Sequence, residues 1–181
     1  MVKCVNKFTF CPILVLLLRA LQQMPALQGE YFCKVDSKGR VRIPGKLLAQ
    51  FHEDFRNKFV INRGFEQHLN IYPKNVWDRI SAQLNKLSGL NPASIRAQRF
   101  MLAGSAVLDL DSADRLLISK QQKMYAGIDK QVVLLAYKNK VEVWNEGLYL
   151  ENFVKVPDLN DETFNLDILK DIDDDFDVLD I

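Results

Sequence analysis

The chain has 181 residues, 48% of them hydrophobic and 26% charged, enough to bury a core as one domain or two small ones. Cys4, Cys11 and Cys33 form no C-x-x-C pair and their odd number excludes a closed disulfide framework, while His52 and His68 lie apart and read as structural or surface residues rather than metal ligands. The net charge of +1 hides a division into +3 over residues 1–29, +6 from Glu30 to Phe153 and −8 from Val154 to Ile181, a basic body with an acidic tail of the kind that meets polyanions.

Residues 1–28 look foreign to the rest of the chain. Lys3 and Lys7 precede the apolar run Phe8–Leu18, and Arg19 closes it. This imitates the first regions of a secretory signal, but the run is too short to cross a bilayer as a helix and no small-x-small cleavage site comes after it. The preferred reading is an over-extended reading frame with translation starting at Met24. The competing one is an exported or membrane-associated β-barrel protein driven by this segment.

Tyr31, Cys33 and Val35 alternate with Phe32 and Lys34, the period-2 signature of a half-buried strand. Asp36 and Gly39 supply turn chemistry, and the alternation resumes with Val41 and Ile43 against Arg40 and Arg42. Pro44 ends that strand. The pattern predicts a tight hairpin carrying Lys34, Lys38, Arg40 and Arg42, with one acid, Asp36, among them. Gly45–His52 reads as a short helix with Leu47, Leu48 and Phe51 inward. Lys58–Arg63 and His68–Tyr72 read as strands about a turn containing Gly64. Pro73 opens a helix whose stripe is Val76, Trp77, Ile80, Leu84 and Leu87, ended by Gly89. Asn91 caps a second helix that begins with Pro92 and runs to about Ala103.

The pattern then returns. Val107–Leu110 is a strand, Asp111 to Arg115 a turn, Leu116–Ile118 a strand and Ser119–Tyr125 a helical turn; Gln131–Tyr137 and Lys140–Trp144 form a hairpin over Lys138-Asn139. Asp36 and Asp111 are 75 residues apart, and Tyr72 and Trp144 are 72 apart. The organisation is therefore two copies of one unit, 30–77 and 105–148, joined by a helical linker over 78–104 and followed by an acidic tail, 154–181, whose like charges predict disorder. One copy has too few strands to bury both faces, but two can close on each other.

Gly29-Glu30-Tyr31 followed by Val35-Asp36-Ser37-Lys38-Gly39-Arg40-Val41-Arg42-Ile43-Pro44 closely resembles the opening of the MraZ family, bacterial regulators built of two SpoVT/AbrB-like repeats. The family's D-x-x-x-R motif occurs once per repeat and matches Asp36/Arg40 and Asp111/Arg115; Arg99-Phe100 and Ala103-Gly104-Ser105-Ala106 also look like the family. The likeness covers about Gly29 to Phe153. It implies an α+β, β-rich fold, a tandem swapped-hairpin β-barrel with short peripheral helices. It also implies ring-shaped homo-oligomers that bind short direct repeats in double-stranded promoter DNA, upstream of the division and cell-wall gene cluster, in the cytoplasm and on the nucleoid. Asp114 stands where the second motif usually has glycine, and Ser119 where a proline is expected; Asp tolerates a left-handed turn.

Charge separates the two turns. Lys34 to Lys46 carries +4, whereas Asp109 to Gln121 carries −1. Because affinity for phosphate draws on neutralised charge, the first turn is expected to contact DNA and the second to build the barrel or an interface. Lys38, Arg40 and Arg42, with Lys34 and Arg115, are the candidate DNA-binding residues; Asp36, Gly39 and Asp111 structure the turns. No G-x-S-x-G, Walker-type loop or H-E-x-x-H motif occurs, so no catalytic residue, metal ligand or cofactor is assigned, and neither a small-molecule ligand nor stable membrane association is expected. The strands show no pair of exposed aromatics suited to stacking RNA bases.

Overall fold

The structure, a computed structural model, describes residues 26–53 and 57–154. The apolar run of the N-terminal extension and nearly all of the acidic tail lie outside the described residues. In chain order the elements are β1 (Leu27–Lys34), β2 (Arg40–Arg42), α1 (Gly45–Leu48), β3 (Lys58–Arg63), β4 (Leu69–Pro73), α2 (Lys74–Leu84), α3 (Pro92–Leu102), β5 (Ala106–Asp109), β6 (Arg115–Leu117), α4 (Lys120–Tyr125), β7 (Gln131–Lys138), β8 (Lys140–Asn145) and α5 (Glu146–Tyr149). The chain divides into two compact units after Glu146. The second continues from α5 into a wide π-type turn, Leu150–Val154, with the rings of Tyr149 and Phe153 5.2 Å apart.

Local chemistry sets the element ends. Asn91 Oδ1 accepts from the amides of Ala93 and Ser94 at 2.8 and 3.4 Å, with Pro92 at the first helical position, so α3 starts where the cap dictates. Ser119 and Gln122 form a reciprocal capping box at the start of α4, which gives the serine a use that a proline would lack. The β7–β8 hairpin turns on Lys138-Asn139, with Lys138 at φ +54°. Two helices are shorter than their apolar stripes predict. α1 stops at Leu48 and continues to Phe51 only as tight turns, and α2 ends at Leu84, leaving Leu87 exposed. At the latter site Ser88 Oγ accepts from the Leu90 amide at 3.2 Å, a local bond that competes with the helix.

Six strands form one antiparallel sheet in the order β1-β7-β8-β4-β3-β5, and β2 and β6 form a separate two-stranded ribbon. The order reads the same from either end when the halves of the chain are exchanged. β1 pairs with β7 of the second half, β5 pairs with β3 of the first, and the two hairpins meet at β4–β8. The expected β-rich α+β fold with strands exchanged between repeats is therefore present. The expected local hairpin is not: beyond the Asp36 turn, β1 and β2 share a single bridge, Val35 to Val41, before each takes a partner from the other half. Nor does a ladder close a barrel among the described residues, since β1 and β5 are the edges of the sheet and the three-residue strands β2 and β6 pair only with each other.

The core lies between sheet and ribbon. Val41 and Leu116, opposite each other at the centre of the ribbon, pack with Ile43 and Ile118 against Phe59, Ile61, Leu69, Ile71, Val132, Leu134, Val141 and Val143 on one face of the sheet. On the other face, Val60 and Tyr72 pack with Val76 and Trp77 of α2. Burying Val41 and Leu116 fixes the outward direction of their neighbours: Arg40, Arg42, Arg115 and Leu117 occupy the opposite side of the ribbon.

Candidate nucleic-acid interface

The two D-x-x-x-R segments fold alike. Asp36 Oδ1 accepts from the amides of Lys38 and Arg40, both at 2.9 Å, and its Oδ2 accepts from Arg40 Nε at 2.7 Å. Asp111 Oδ1 accepts from Ala113 and Arg115 at 2.9 and 3.0 Å, and its Oδ2 from Arg115 Nε at 2.8 Å. The spacing has a simple cause: an aspartate reaches its own backbone two residues on, and the arginine four residues on returns over the closed turn. Gly39 has φ +83° and Asp114, its counterpart, φ +58°, so the aspartate adopts the left-handed conformation expected of it. A Cβ on Gly39 would lie 2.9 Å from the Ile118 carbonyl oxygen, so that position also requires close backbone approach.

Sequence spacing gives no hint that the turns interlock. Antiparallel pairing of β2 with β6 places Arg40 opposite Leu117 and Arg42 opposite Arg115. The Ile43 amide donates to the Asp114 carbonyl at 2.8 Å, and the Ile118 amide to the Gly39 carbonyl at 2.9 Å. Arg40 Nη1 lies 3.7 Å from Asp111 Oδ2, and Arg115 Nη1 lies 3.9 Å from Asp36 Oδ2. Each arginine is thus held by its own aspartate and approached by the other's. All four side chains are about two-thirds covered, and together they form one shared quartet.

The protonation of both acids follows from these bonds. The amide of Arg40, aided by its guanidinium and the Lys38 amide, outweighs partial desolvation and holds the Asp36 carboxyl below its ordinary value. At Asp111, desolvation is the largest single influence and raises the value, but the bonds from Ala113 and Arg115 together exceed it and leave the carboxyl lowered. Both acids are ionised at neutral pH, with their charge directed at arginine.

The other candidate cations lie around the quartet. Lys34, Lys38 and Arg42 are exposed. Their counterparts 75 residues later are Asp109, Ala113 and Leu117, so a backbone nearly symmetric about the ribbon carries an unsymmetric charge. The ribbon brings Arg40, Arg42 and Arg115 onto one face, with Lys38 in the adjoining turn and Lys34 at the end of β1.

Two further clusters have no signature in the periodicity. Glu142 is only 6% exposed; its carboxylate accepts from Tyr137 Oη, Lys140 Nζ and Trp144 Nε1 at 3.0, 2.7 and 2.9 Å, and His68 Nε2 lies 3.4 Å away. Burial is the largest influence and raises its pKa, but the bonds from His68, Lys140 and Trp144 more than offset it and bring it to about 2. Lys140 also donates to Asn70 Oδ1 at 3.2 Å, and His68 stacks on Trp144 with centroids 4.4 Å apart. His68 is therefore structural. Gly64 allows it to sit there, because a Cβ on that glycine would lie 2.0 Å from the His68 Nε2 atom. At the same turn Phe65, 83% exposed, stacks on the partly buried Phe100 at 5.0 Å, an aromatic pair formed by a turn and a helix rather than by the strands. Among the described residues no helix is long and apolar enough to cross a membrane.

The chain matches the family model described as "MraZ protein, putative antitoxin-like" twice, over residues 26–100 and 101–157. It is 35% identical to the transcriptional regulator MraZ of Flavobacterium psychrophilum over 127 residues, covering 70% of this chain and 81% of the relative. It is also 35% identical to that of Idiomarina loihiensis over 136 residues (75% and 90%) and 34% identical to that of Tolumonas auensis over 126 residues (69% and 83%). With both motif turns inside the matched segments and strands exchanged between the two matched halves, the chain belongs to the MraZ family.

Proposed function

We propose that this chain is a transcriptional regulator that grips duplex DNA with the outward face of its β2–β6 ribbon. One observation carries the reading: Arg40, Arg42 and Arg115 lie together on a two-stranded ribbon, beside the exposed Lys38 and Lys34, while Asp36 and Asp111 direct their charge at arginine. A two-stranded ribbon fits the major groove, where guanidinium groups reach guanine edges or the flanking phosphates. Lys34, Lys38 and Arg42 supply phosphate contacts, and the clamped Arg40 and Arg115 set the register. Gly39 gives the turn its close approach.

In finer detail, the sites are short direct repeats upstream of the division and cell-wall gene cluster, bound by a ring of identical chains in the cytoplasm, on the nucleoid. Binding needs no cofactor, and the activity is recognition rather than catalysis. A gel shift of the full chain on the duplex upstream of its own reading frame, over a salt series, tests this. Wild type is expected to bind, Arg40→Ala to lose most of the affinity and Arg115→Ala less. Lys38→Ala and Arg42→Ala are each expected to reduce the salt slope by about 1. A wild-type chain that leaves this duplex unshifted even in dilute buffer overturns the reading.

A further inference from the structure

The outward face of the ribbon is not wholly cationic. Its fourth residue is Leu117, 53% exposed, opposite Arg40 and at the position corresponding to Arg42 in the first half. Its Cδ1 lies 4.0 Å from the point a Cβ on Gly39 would occupy, and Lys123 Cε lies 3.7 Å from that same point. An apolar side chain therefore leans over the left-handed residue of the first turn, with Arg40 across the ladder and Lys123 beside it. Leu117 is not needed to fill the core beneath, where Leu116 and Ile118 are almost fully buried.

We propose that Leu117 is a specificity-determining residue that reads the C5-methyl group of one thymine in the major groove. The inference rests on the regulator reading above and deepens it. A leucine gains nothing from a phosphate, which is charged and hydrated, and among the base edges of the major groove the thymine methyl is the apolar feature. On a two-stranded ribbon three residues long, the guanidinium of Arg42 and the isobutyl group of Leu117 occupy corresponding positions on opposite strands. The ribbon then meets a phosphate from one strand and a base edge from the other, where a symmetric one would make the same contact twice, so one chain reads its site in one direction.

Deoxyuridine replaces thymine with loss of the methyl group alone, which isolates this contact. In the duplex from upstream of the protein's own reading frame, each thymine is replaced in turn and the affinities of full-length wild type, Leu117→Ala and Leu117→Met are measured at one salt concentration. For wild type, replacement of one thymine per bound site is expected to weaken binding about fourfold, the value of one buried methyl-sized group. Leu117→Ala is expected to bind the unmodified duplex about fourfold more weakly and to be indifferent to that replacement, whereas Leu117→Met keeps the response. An unchanged thermal unfolding midpoint shows that the exposed substitution leaves the fold intact. If wild type binds but no thymine distinguishes it from Leu117→Ala, the role of Leu117 is overturned and the regulator reading stands. If wild type does not bind the duplex at all, both fall together.

Discussion

At the residue scale, Asp36 and Asp111 pose a problem of sign. A carboxylate near a phosphate-binding surface opposes binding by simple Coulomb repulsion, so neutralising it should help. The geometry says otherwise, because each carboxylate fixes two turn amides and an arginine Nε, and its Oδ2 lies within 4 Å of the other turn's arginine. Positioning is worth more than screened repulsion here, since charge-assisted bonds set where a guanidinium points whereas exposed charges are damped by salt. Asp111→Asn is therefore expected to weaken binding to the specific duplex about tenfold, although it removes a negative charge and leaves Arg40 in place. Binding to random duplex should change far less. A gain in affinity for both duplexes would show that repulsion dominates and that the cross-turn approach of Asp111 to Arg40 has no functional weight.

At the element scale, the β4–β8 seam that joins the halves carries its own charge cluster. Glu142 on β8 lies opposite Asn70 on β4, with His68 and Lys140 alongside. Its carboxyl is held at about 2 against an ordinary 4.5. A lowered carboxyl contributes stability that is complete above the ordinary value and disappears as pH falls through the folded one. The shift corresponds to a contribution on the order of 3 kcal/mol. Lys140, raised from its ordinary 10.5 by its bonds to Glu142 and Tyr137 despite desolvation, contributes in the opposite sense, fully below that value and less as pH rises through its folded pKa. Glu142→Gln should reduce the unfolding free energy at neutral pH by about 3 kcal/mol, chiefly by leaving Lys140 without its counter-charge, and the difference from wild type should shrink as pH falls below 4.5. Urea unfolding across the acid range measures this, and parallel curves would show that the seam is indifferent to the pair.

This seam also marks the limit of what alternation can tell. Val141-Glu142-Val143 reads as in-out-in, which places Glu142 correctly on the face opposite the main core but suggests solvent there. Tyr137, Lys140 and Trp144 reach it from within the β7–β8 hairpin, but only the pairing of β8 with β4, with the His68 ring packed against Gly64, brings Asn70 and His68 to it and closes the cluster. The motif turns were legible down to the left-handed aspartate at Asp114, because their bonds are made within five residues. The partners of β1 and β2 were not legible. Val35, Val41 and Ile43 alternate identically whether their strands form a local hairpin or exchange with the other half, because a period of two specifies a face and not a neighbour.

At the scale of the whole molecule, the described residues of one chain form one ribbon of this kind, and in the proposed reading one ribbon would reach few phosphates. The exposed cations beside the quartet are Lys34, Lys38 and Arg42, and each phosphate that such a cation neutralises steepens the salt dependence by about 0.9. A single chain on a single repeat should therefore bind weakly and release easily at physiological ionic strength. In the proposed reading, a homo-oligomeric ring on tandem repeats would convert the second binding event into an intramolecular one, multiplying affinity by about a hundredfold or more without any new interface to DNA. The gain depends on geometry, because rigidly held copies meet successive repeats on the same side of the duplex only if the spacing suits the helical repeat of about 10 bp. Inserting about 5 bp between two repeats turns the second one to the far side, and binding should fall to the level of a single repeat. Inserting about 10 bp restores the facing direction at a longer reach and should recover part of the loss. Chains held by flexible joints would tolerate both insertions alike, and isolated chains would bind two repeats no better than one. Sedimentation of the free protein, set beside these three duplexes, separates the cases, because a rigid assembly must be present before DNA is added for the half-turn insertion to be the more damaging one.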